Sequence, residues 1–552
     1  MKIKYFIKKS IVLMTILVIS SVSCTDNFDE LNVKRGELTA DQMDGSMLGF
    51  AFAEAQHWGM RAWYQGNNLF AGEYSQFQAT IHPNFHSSNY NGPASWSNLM
   101  MEGFYSNIAY GAPANQLDFV LKYTEKNNLK PENALAKLWK VMIYHRQTDY
   151  WGPIIYSNFG NGKTSVAFDS QKDIYFDFFK ILDEAATDLR AINATSPATK
   201  IYGTHDLVYG GNILQNLKLL NSLRLRLAIR IAYVDAAKAK QEAEKAAAAP
   251  EGFIVNNADN ALSKVNLNFV NKLSTITYIS EFVLTSTLAS LMNGYEDPRI
   301  PEYSQPCCGR LTPGNAVFGG LVGFRNGYAA AQRGKEKDLE YSYVGKKWLP
   351  INNGGTNEKD PVMEAAEVFF LRAEGVLRGW NMGGGTAQEY YNEGIKASLK
   401  FRVNASDAVV NSYISSTKLP AKPLDRFGKP DARNSPPVTD IPVLYDNTGS
   451  FERRLEQIIT QKWLALFPMN DTEAWAERRR TGYPRGYAII ESANPALTRT
   501  QLARRLIYPS NSYSTNGAAT TAALTLLGGP DTYATRLWWD AKPLSAYPTP
   551  TD

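Results

Sequence analysis

Apolar residues recur at helical spacing in several separate segments, and this period limits what the 552-residue chain can fold into more than any other feature. In Ala134 to Tyr150, Leu138, Met142 and Ile143 share one face, with Trp139 and Tyr144 beside it, and Trp151-Gly152-Pro153 stops the run. Asp173 to Ala191 repeats the pattern with Phe178, Ile181, Leu182, Ala185 and Leu189. Asn212 to Ala243 alternates Leu and Arg and then passes into Ala, Lys and Glu, a strong helix composition. The alanine-rich part from Val234 is expected to be a solvated extension. Pro361 to Gly379 and Thr386 to Phe401 read as two amphipathic helices joined by Trp380-Asn-Met-Gly-Gly-Gly385, with Ala366, Ala373 and Ala397 small enough to let helices approach closely.

This last pair is similar to a tetratricopeptide repeat, although its spacing is not regular. Between the helical blocks lie stretches rich in Gly, Pro, Asn and aromatics: residues 58–110, 293–360, 402–450 and 507–552. Loops of that length in a compact domain are functional or disordered. Disordered segments are poor in aromatics, so these are expected to be ordered and functional. No long Ser/Gly linker or abrupt composition shift divides the chain, which points to one large domain with two lobes.

The first residues have a different character. Lys2, Lys4, Lys8 and Lys9 precede the apolar run from Ile11 to Val22, and small residues lead into Cys24. That is the layout of a cleavable secretory signal over residues 1–23, and the run is shorter than the ~20 residues a spanning helix needs. Ser21-Val-Ser-Cys24 resembles a bacterial lipobox, so Cys24 is the expected lipidation site and residues 24–34 a tether to the domain at 35–552. Acyl chains contribute about 0.8 kcal/mol per buried methylene, so several on one cysteine anchor a soluble domain to a bilayer.

Removing the four signal lysines from 58 basic residues leaves near balance with the 53 acids. A balanced chain offers no electrostatic case for nucleic acid or an anionic membrane surface. The other two of the 3 cysteines, Cys307 and Cys308, are adjacent, a spacing that bridges only with strain. Two thiols, a strained vicinal disulfide and a redox site all stay open for them.

Enzyme constellations are weak. The histidines, His57, His82, His86, His145 and His205, show no zinc spacing, and Pro83 between His82 and His86 argues against a shared metal. Gly160-Asn-Gly-Lys-Thr164 lacks the glycine a phosphate loop needs at Ser157, and reads as a turn. Glu364, Glu367 and Glu374 are expected to bond structurally to Arg372, Arg378 or the run Arg478 to Arg480 rather than to act in catalysis. No metal and no cofactor are expected.

Motifs spread along the chain carry a family resemblance. They are Asn27-Phe-Asp-Glu-Leu-Asn-Val33, His145-Arg-Gln-Thr-Asp-Tyr-Trp-Gly-Pro153, Asn221-Ser-Leu-Arg-Leu-Arg-Leu-Ala-Ile-Arg230, Val362 to Glu374, Ile458 to Phe467, and Glu473 to Pro484. In this order they resemble the SusD/RagB family of Bacteroidota surface lipoproteins. The acidic stretch after Cys24 is similar to the signal that sends such lipoproteins to the cell exterior. The resemblance implies a mostly α-helical fold in which tetratricopeptide-like helix pairs form a scaffold, with long irregular aromatic-rich loops and few short strands. It implies a role without catalysis as the lid of a SusC-type TonB-dependent outer-membrane transporter, capturing oligosaccharides or, in some members, peptides.

The aromatic loops are the place for such a ligand, since sugar C–H faces stack on Trp and Tyr rings while amides and Arg bond the hydroxyls. The expected ligand-binding residues are Trp63, Tyr64, Tyr90 and Trp96 in the first segment, and Tyr295, Arg325 and Trp348 in the second. Peptide capture, surface glycoside hydrolysis by a facing pair of carboxylates and a purely adhesive role are the alternatives the residues leave open.

Overall fold

The computed structural model describes residues 44–60, 67–91, 96–105, 110–265, 271, 273, 281–305, 320–333, 341–349, 351, 354–356, 358–423 and 435–552. The chain divides into two units, Met1–Leu48 and Gly49–Asp552. In the first, the Asp44 side chain caps a single turn at Gly45–Met47 by accepting from Ser46 N at 2.8 Å.

Helix α1 (Leu48–Met60) is followed by strand β1 (Gln78–Thr80), α2 (Trp96–Gly103) and α3 (Gly111–Lys126). Helix α4 (Lys130–Trp151) starts with Pro131 and Glu132 in its first turn, where a missing N–H costs nothing and an acid meets the positive end of the helix. It ends because Gly152 takes φ +88°, a backbone angle that suits only glycine, so the Trp-Gly-Pro stop read from the sequence operates. The Ser170 and Asn212 side chains cap α5 (Gln171–Thr195) and α6 (Ile213–Arg230).

Two helical expectations are corrected here. Asn212 to Ala243 is not continuous: the chain turns at 231–234, and Asp235 caps a new helix, α7 (Ala236–Ala247), by accepting from Lys238 N. Nor is the alanine-rich part a solvated extension, since Ala239, Glu242, Ala243 and Ala246 are buried and α7 packs on α6. The second correction is at Pro361, which lies in a strand. Strands β2 (Ala261–Ser263) and β6 (Asp360–Met363) pair antiparallel, with a register shift between Ala261 and Leu262 opposite Pro361, the kind of irregularity that tolerates a missing donor.

Between those strands lie β3 (Phe282–Leu284), α8 (Ser286–Tyr295), β4 (Ser304–Gln305) and β5 (Tyr343–Val344). After β6 come α9 (Ala365–Leu377) and α10 (Ala387–Val403), the latter opened by a capping box between Thr386 and Glu389. The stretches expected to be loops at 402–450 and 507–552 contain α11 (Asp407–Ile414) and α14 (Ser510–Leu527), on either side of α12 (Phe451–Leu466) and α13 (Asp471–Thr481). Helix α14 escapes a periodicity reading because it buries only Ser512, Thr520 and Ala523, and it kinks at Asn516, whose amide donates to Val166 O.

The helices pack as successive pairs, α3 on α4, α4 on α5, α5 on α6, α6 on α9 and α9 on α10, with α12 against α9. The short connection Asn127 to Leu129 makes α3 and α4 neighbours. Leu138, Trp139, Met142 and Ile143 are fully or almost fully buried, and large apolar side chains such as these contribute roughly 1.5–3 kcal/mol each over exposure.

A buried ion-pair network joins these helices. Arg226 on α6 grips Glu367 on α9 with two bonds of 2.7 Å. Arg230 meets Glu473 on α13 at 2.6 Å and Asp149 on α4 at 3.4 Å. Arg480 takes Glu374 at 2.6 Å, and Arg402 takes Glu364 at 2.7 Å. Desolvation of these side chains is offset by bidentate geometry and opposite charge, so the contacts dictate which helix faces which.

Candidate ligand-binding site

The two aromatic segments meet in a lobe built from loops and short strands. Strand β1 pairs antiparallel with β3, Gln78 opposite Leu284, Ala79 opposite Val283 and Thr80 opposite Phe282. Ser342 extends the pairing, accepting from Leu284 N at 2.9 Å and donating its own N–H to Val322 O at 2.9 Å. The residues between the strands form an apolar cluster of Ala79, Ile81, Val283, Val322, Phe324, Tyr328, Tyr341 and Tyr343. Phe324 stacks on Tyr328 at 4.9 Å and meets Tyr341 edge-on at 5.0 Å. Asn326 donates to Gln78 O and Gly327 N donates to Ser88 Oγ, so the second segment is tied to the first by backbone bonds as well as by rings.

Of the expected ligand contacts, Trp63 and Tyr64 lie outside the described residues, and Trp96 is the first residue of α2. Tyr90 sits in the left-handed region (φ +65°), buried, with its hydroxyl donating to Gln501 O at 2.6 Å. Arg325 is buried and bonds Ala488 O at 2.9 Å, Ser435 Oγ at 3.0 Å and the Asp552 carboxylate at 3.3 Å. Tyr295 is 2% exposed and donates to Ile441 O, while Trp348 is 1% exposed beside Lys347 and Arg402. The structure thus brings Tyr90 and Arg325 into the same lobe, tied together through the 488–501 segment, and seats Tyr295 and Trp348 at separate points. Each of these four side chains holds its loop down with bonds to distant backbone or packing against distant side chains.

Glu73, which sequence reasoning passed over, lies under this lobe. It is buried, accepts from Thr80 N at 2.7 Å, and is pushed up to about 8 by burial, against the pull of Ser87 and Arg333. At neutral pH it is therefore mostly a neutral acid. No motif marks it; an acid between apolar residues in Phe70-Ala-Gly-Glu-Tyr74 is the only hint.

The carboxylates raised as catalytic alternatives are engaged. Glu374 is held by Arg378 at 2.8 Å and by Arg480, as expected, whereas Glu364 and Glu367 take Arg402 and Arg226 from other helices. Arg372 instead bonds Met382 O and the Tyr390 hydroxyl. Despite burial, opposing charges hold Glu374 and Glu473 well below the usual carboxylate range, which disfavours proton donation by either. Burial, with Arg226 nearby, drives His145 down to about 3 and keeps its ring neutral. His82 accepts from Asn84 N, and among the described residues no group of three His, Cys, Asp or Glu could hold a metal. Gly160 to Thr164 is a turn, with Lys163 N donating to Asn161 Oδ1. Cys307 and Cys308 lie outside the described residues.

Scaffold and lobe together define a class: a mostly helical protein of paired helices that carries a lobe of loops and short strands around buried aromatics. The chain belongs to the SusD-like family, the SusD and RagB outer membrane lipoproteins, whose model matches residues 27–540. It is similar to a chitin-binding SusD homologue from Flavobacterium johnsoniae, 32% identical, over 90% of this chain and 98% of that one, with a TM-score of 0.77. A SusD homologue from Bacteroides uniformis is also 32% identical, over 90% of this chain and 100% of that one, with a TM-score of 0.76. A third, from Bacteroides vulgatus, is 26% identical over 89% and 97% of the two chains with a TM-score of 0.79. No curated protein matches the chain.

Proposed function

We propose that this protein is a glycan-capture lipoprotein of the outer membrane that delivers an oligosaccharide to a SusC-type TonB-dependent transporter and catalyses nothing itself. In this reading residues 1–23 are removed on export, Cys24 carries the lipid, residues 24–34 tether the domain 35–552, and the domain faces the cell exterior. The observation that carries the reading is membership of the family together with 32% identity to a chitin-binding relative over nearly the full length of both chains. Among the described residues no helix is long and apolar enough to cross a membrane. In this reading the stacking that a sugar ligand needs falls to Trp63, Tyr64 and Trp96, since Tyr90, Tyr295 and Trp348 are buried.

The test is a pull-down of the anchored protein from its native membranes, with mass spectrometry of the associated proteins and of residue 24, followed by calorimetry with chitin oligomers. Recovery of a large TonB-dependent barrel, an acylated Cys24 and glycan binding without release of reducing sugar is the expected result. Recovery of the lipoprotein alone, or release of reducing sugar by the purified chain, would overturn the transporter role or the non-catalytic role respectively.

A further inference from the structure

A cavity of about 360 Å³ opens between the end of α13 and the segments 497–504 and 534–550, a volume within the ~300–1,000 Å³ of small-molecule sites. Arg478, Arg485, Arg504 and Arg536 line it, and no carboxylate does. Behind the wall, Asp540 is shared by Arg504 at 3.2 Å and Arg536 at 2.9 Å, and Glu456 takes Arg485 at 3.0 Å. Arg478 is different. It is 5% exposed, and among the described residues no carboxylate lies within ion-pair distance of it. Its Nη1 donates to Tyr74 O at 2.8 Å, which satisfies one donor and leaves the charge uncancelled. Arg536 leaves its Nε without an acceptor.

The three consecutive arginines diverge because successive helical residues point about 100° apart. Arg480 reaches Glu374, Arg479 stacks on Trp475 at 3.7 Å and donates to Asp149 O, and Arg478 faces the cavity. A Cβ at position 486 would stand 2.1 Å from Gln76 Oε1 and 2.7 Å from Arg478 Nη2, so only glycine lets the chain pass this close to the guanidinium. Burial, with the Arg504 charge adding to it and the Tyr90 phenol opposing it, pushes Arg478 down to about 10, the response of a cation short of a counter-charge. The cavity adjoins the lobe: Gln501, on its wall, accepts the Tyr90 hydroxyl, and Tyr74 accepts Arg478.

We propose that this cavity binds an oxyanion, a carboxylate or sulfate group carried on a saccharide, with Arg478 and Arg536 as its donors. The saccharide part rests on the glycan-capture reading; the oxyanion part rests on the cavity alone. A planar guanidinium with free N–H groups matches such an anion in a forked geometry, and the apolar surfaces of Leu497, Leu544 and Pro548 would flank the sugar ring.

The mature chain is titrated calorimetrically with trigalacturonate, with sodium sulfate and with neutral chitotriose, at low and high salt. Trigalacturonate is expected to bind and to be undisplaced by chitotriose, with affinity falling roughly tenfold or more in Arg478→Gln and in Arg536→Gln, and falling as salt rises. If Arg478→Gln does not fold, Arg536→Gln carries the test, since its side chain is 27% exposed and Asp540 keeps Arg504. No binding of trigalacturonate, or binding that neither variant weakens, overturns the proposal. Sulfate binding without trigalacturonate binding overturns the saccharide assignment. Chitotriose reports on glycan capture separately, so that reading fails without changing the trigalacturonate result.

Discussion

Glu73→Gln removes a titration from beneath the lobe of loops and short strands and keeps the shape of the side chain. In the folded chain the carboxyl is pushed from 4.5 up to about 8 by burial, while its acceptor bond from Thr80 N joins the turn at Gly72 to Tyr74 to strand β1. A folded value above the unfolded one means that the stability tied to the neutral acid is complete below about pH 4.5, is lost as pH rises towards 8, and falls no further beyond that. With 1.36 kcal/mol per unit, the loss between pH 5 and pH 9 comes to about 4 kcal/mol. Glutamine accepts the same Thr80 bond and cannot ionise, so the variant should gain on the wild type by about that amount across the window. The assay is urea denaturation of the mature domain of both proteins at pH 5, 7 and 9, read as the difference between their unfolding free energies. Every other titrating group is common to the two proteins and cancels. A difference that stays flat to within about 1 kcal/mol from pH 5 to pH 9 refutes the claim that Glu73 is folded as a neutral acid.

Arg226→Met leaves Glu367 buried with only Lys462 at 4.0 Å and should destabilise the domain by about 3–5 kcal/mol in urea, whereas Arg226→Met with Glu367→Leu should recover most of that; strictly additive losses count against the pair. For His145, a folded value of about 3 against 6.5 unfolded means the unfolded chain takes the proton first, so stability falls as pH drops below 6.5. His145→Gln should remove about 2 kcal/mol of the loss seen between pH 7 and pH 5, and an unchanged acid slope would exclude this assignment.

The helical scaffold was legible because its segments carry local signals. Leu138, Met142 and Ile143 mark the face of α4, Gly152 its end, and Thr386 with Glu389 the start of α10. Where the local signal is ambiguous, the fold departs from it. The apolar spacing runs on into the alanine-rich stretch, so the segment reads as one helix, although Asp235 is an N-cap residue type and restarts the helix so that α7 folds back on α6 and places Glu242 against Arg224. Pro361 and Val362 have apolar character that suits either period, and only the distant partner strand at Ala261–Ser263 makes them a strand. Of the candidate site, only the meeting of the two aromatic segments was legible, and they meet as a buried cluster around Phe324 and Tyr341. Its individual residues were not, because exposure is a property of the closed fold: Tyr295 and Trp348 read as binding rings in the sequence and are buried in the structure.

By itself the sequence determined the main scaffold helices α4, α5, α6, α9 and α10, the stop at Gly152, the acids and arginines available for pairing, and the family motifs. These depend on neighbours within a few residues, so a linear reading reaches them. The tertiary structure alone decided which arginine meets which acid, why Arg480 is neutralised by Glu374 while Arg478 is not, and why Glu73 holds its proton. Charge compensation and desolvation act through space over a few ångströms, between residues hundreds of positions apart, and only the folded chain sets those distances.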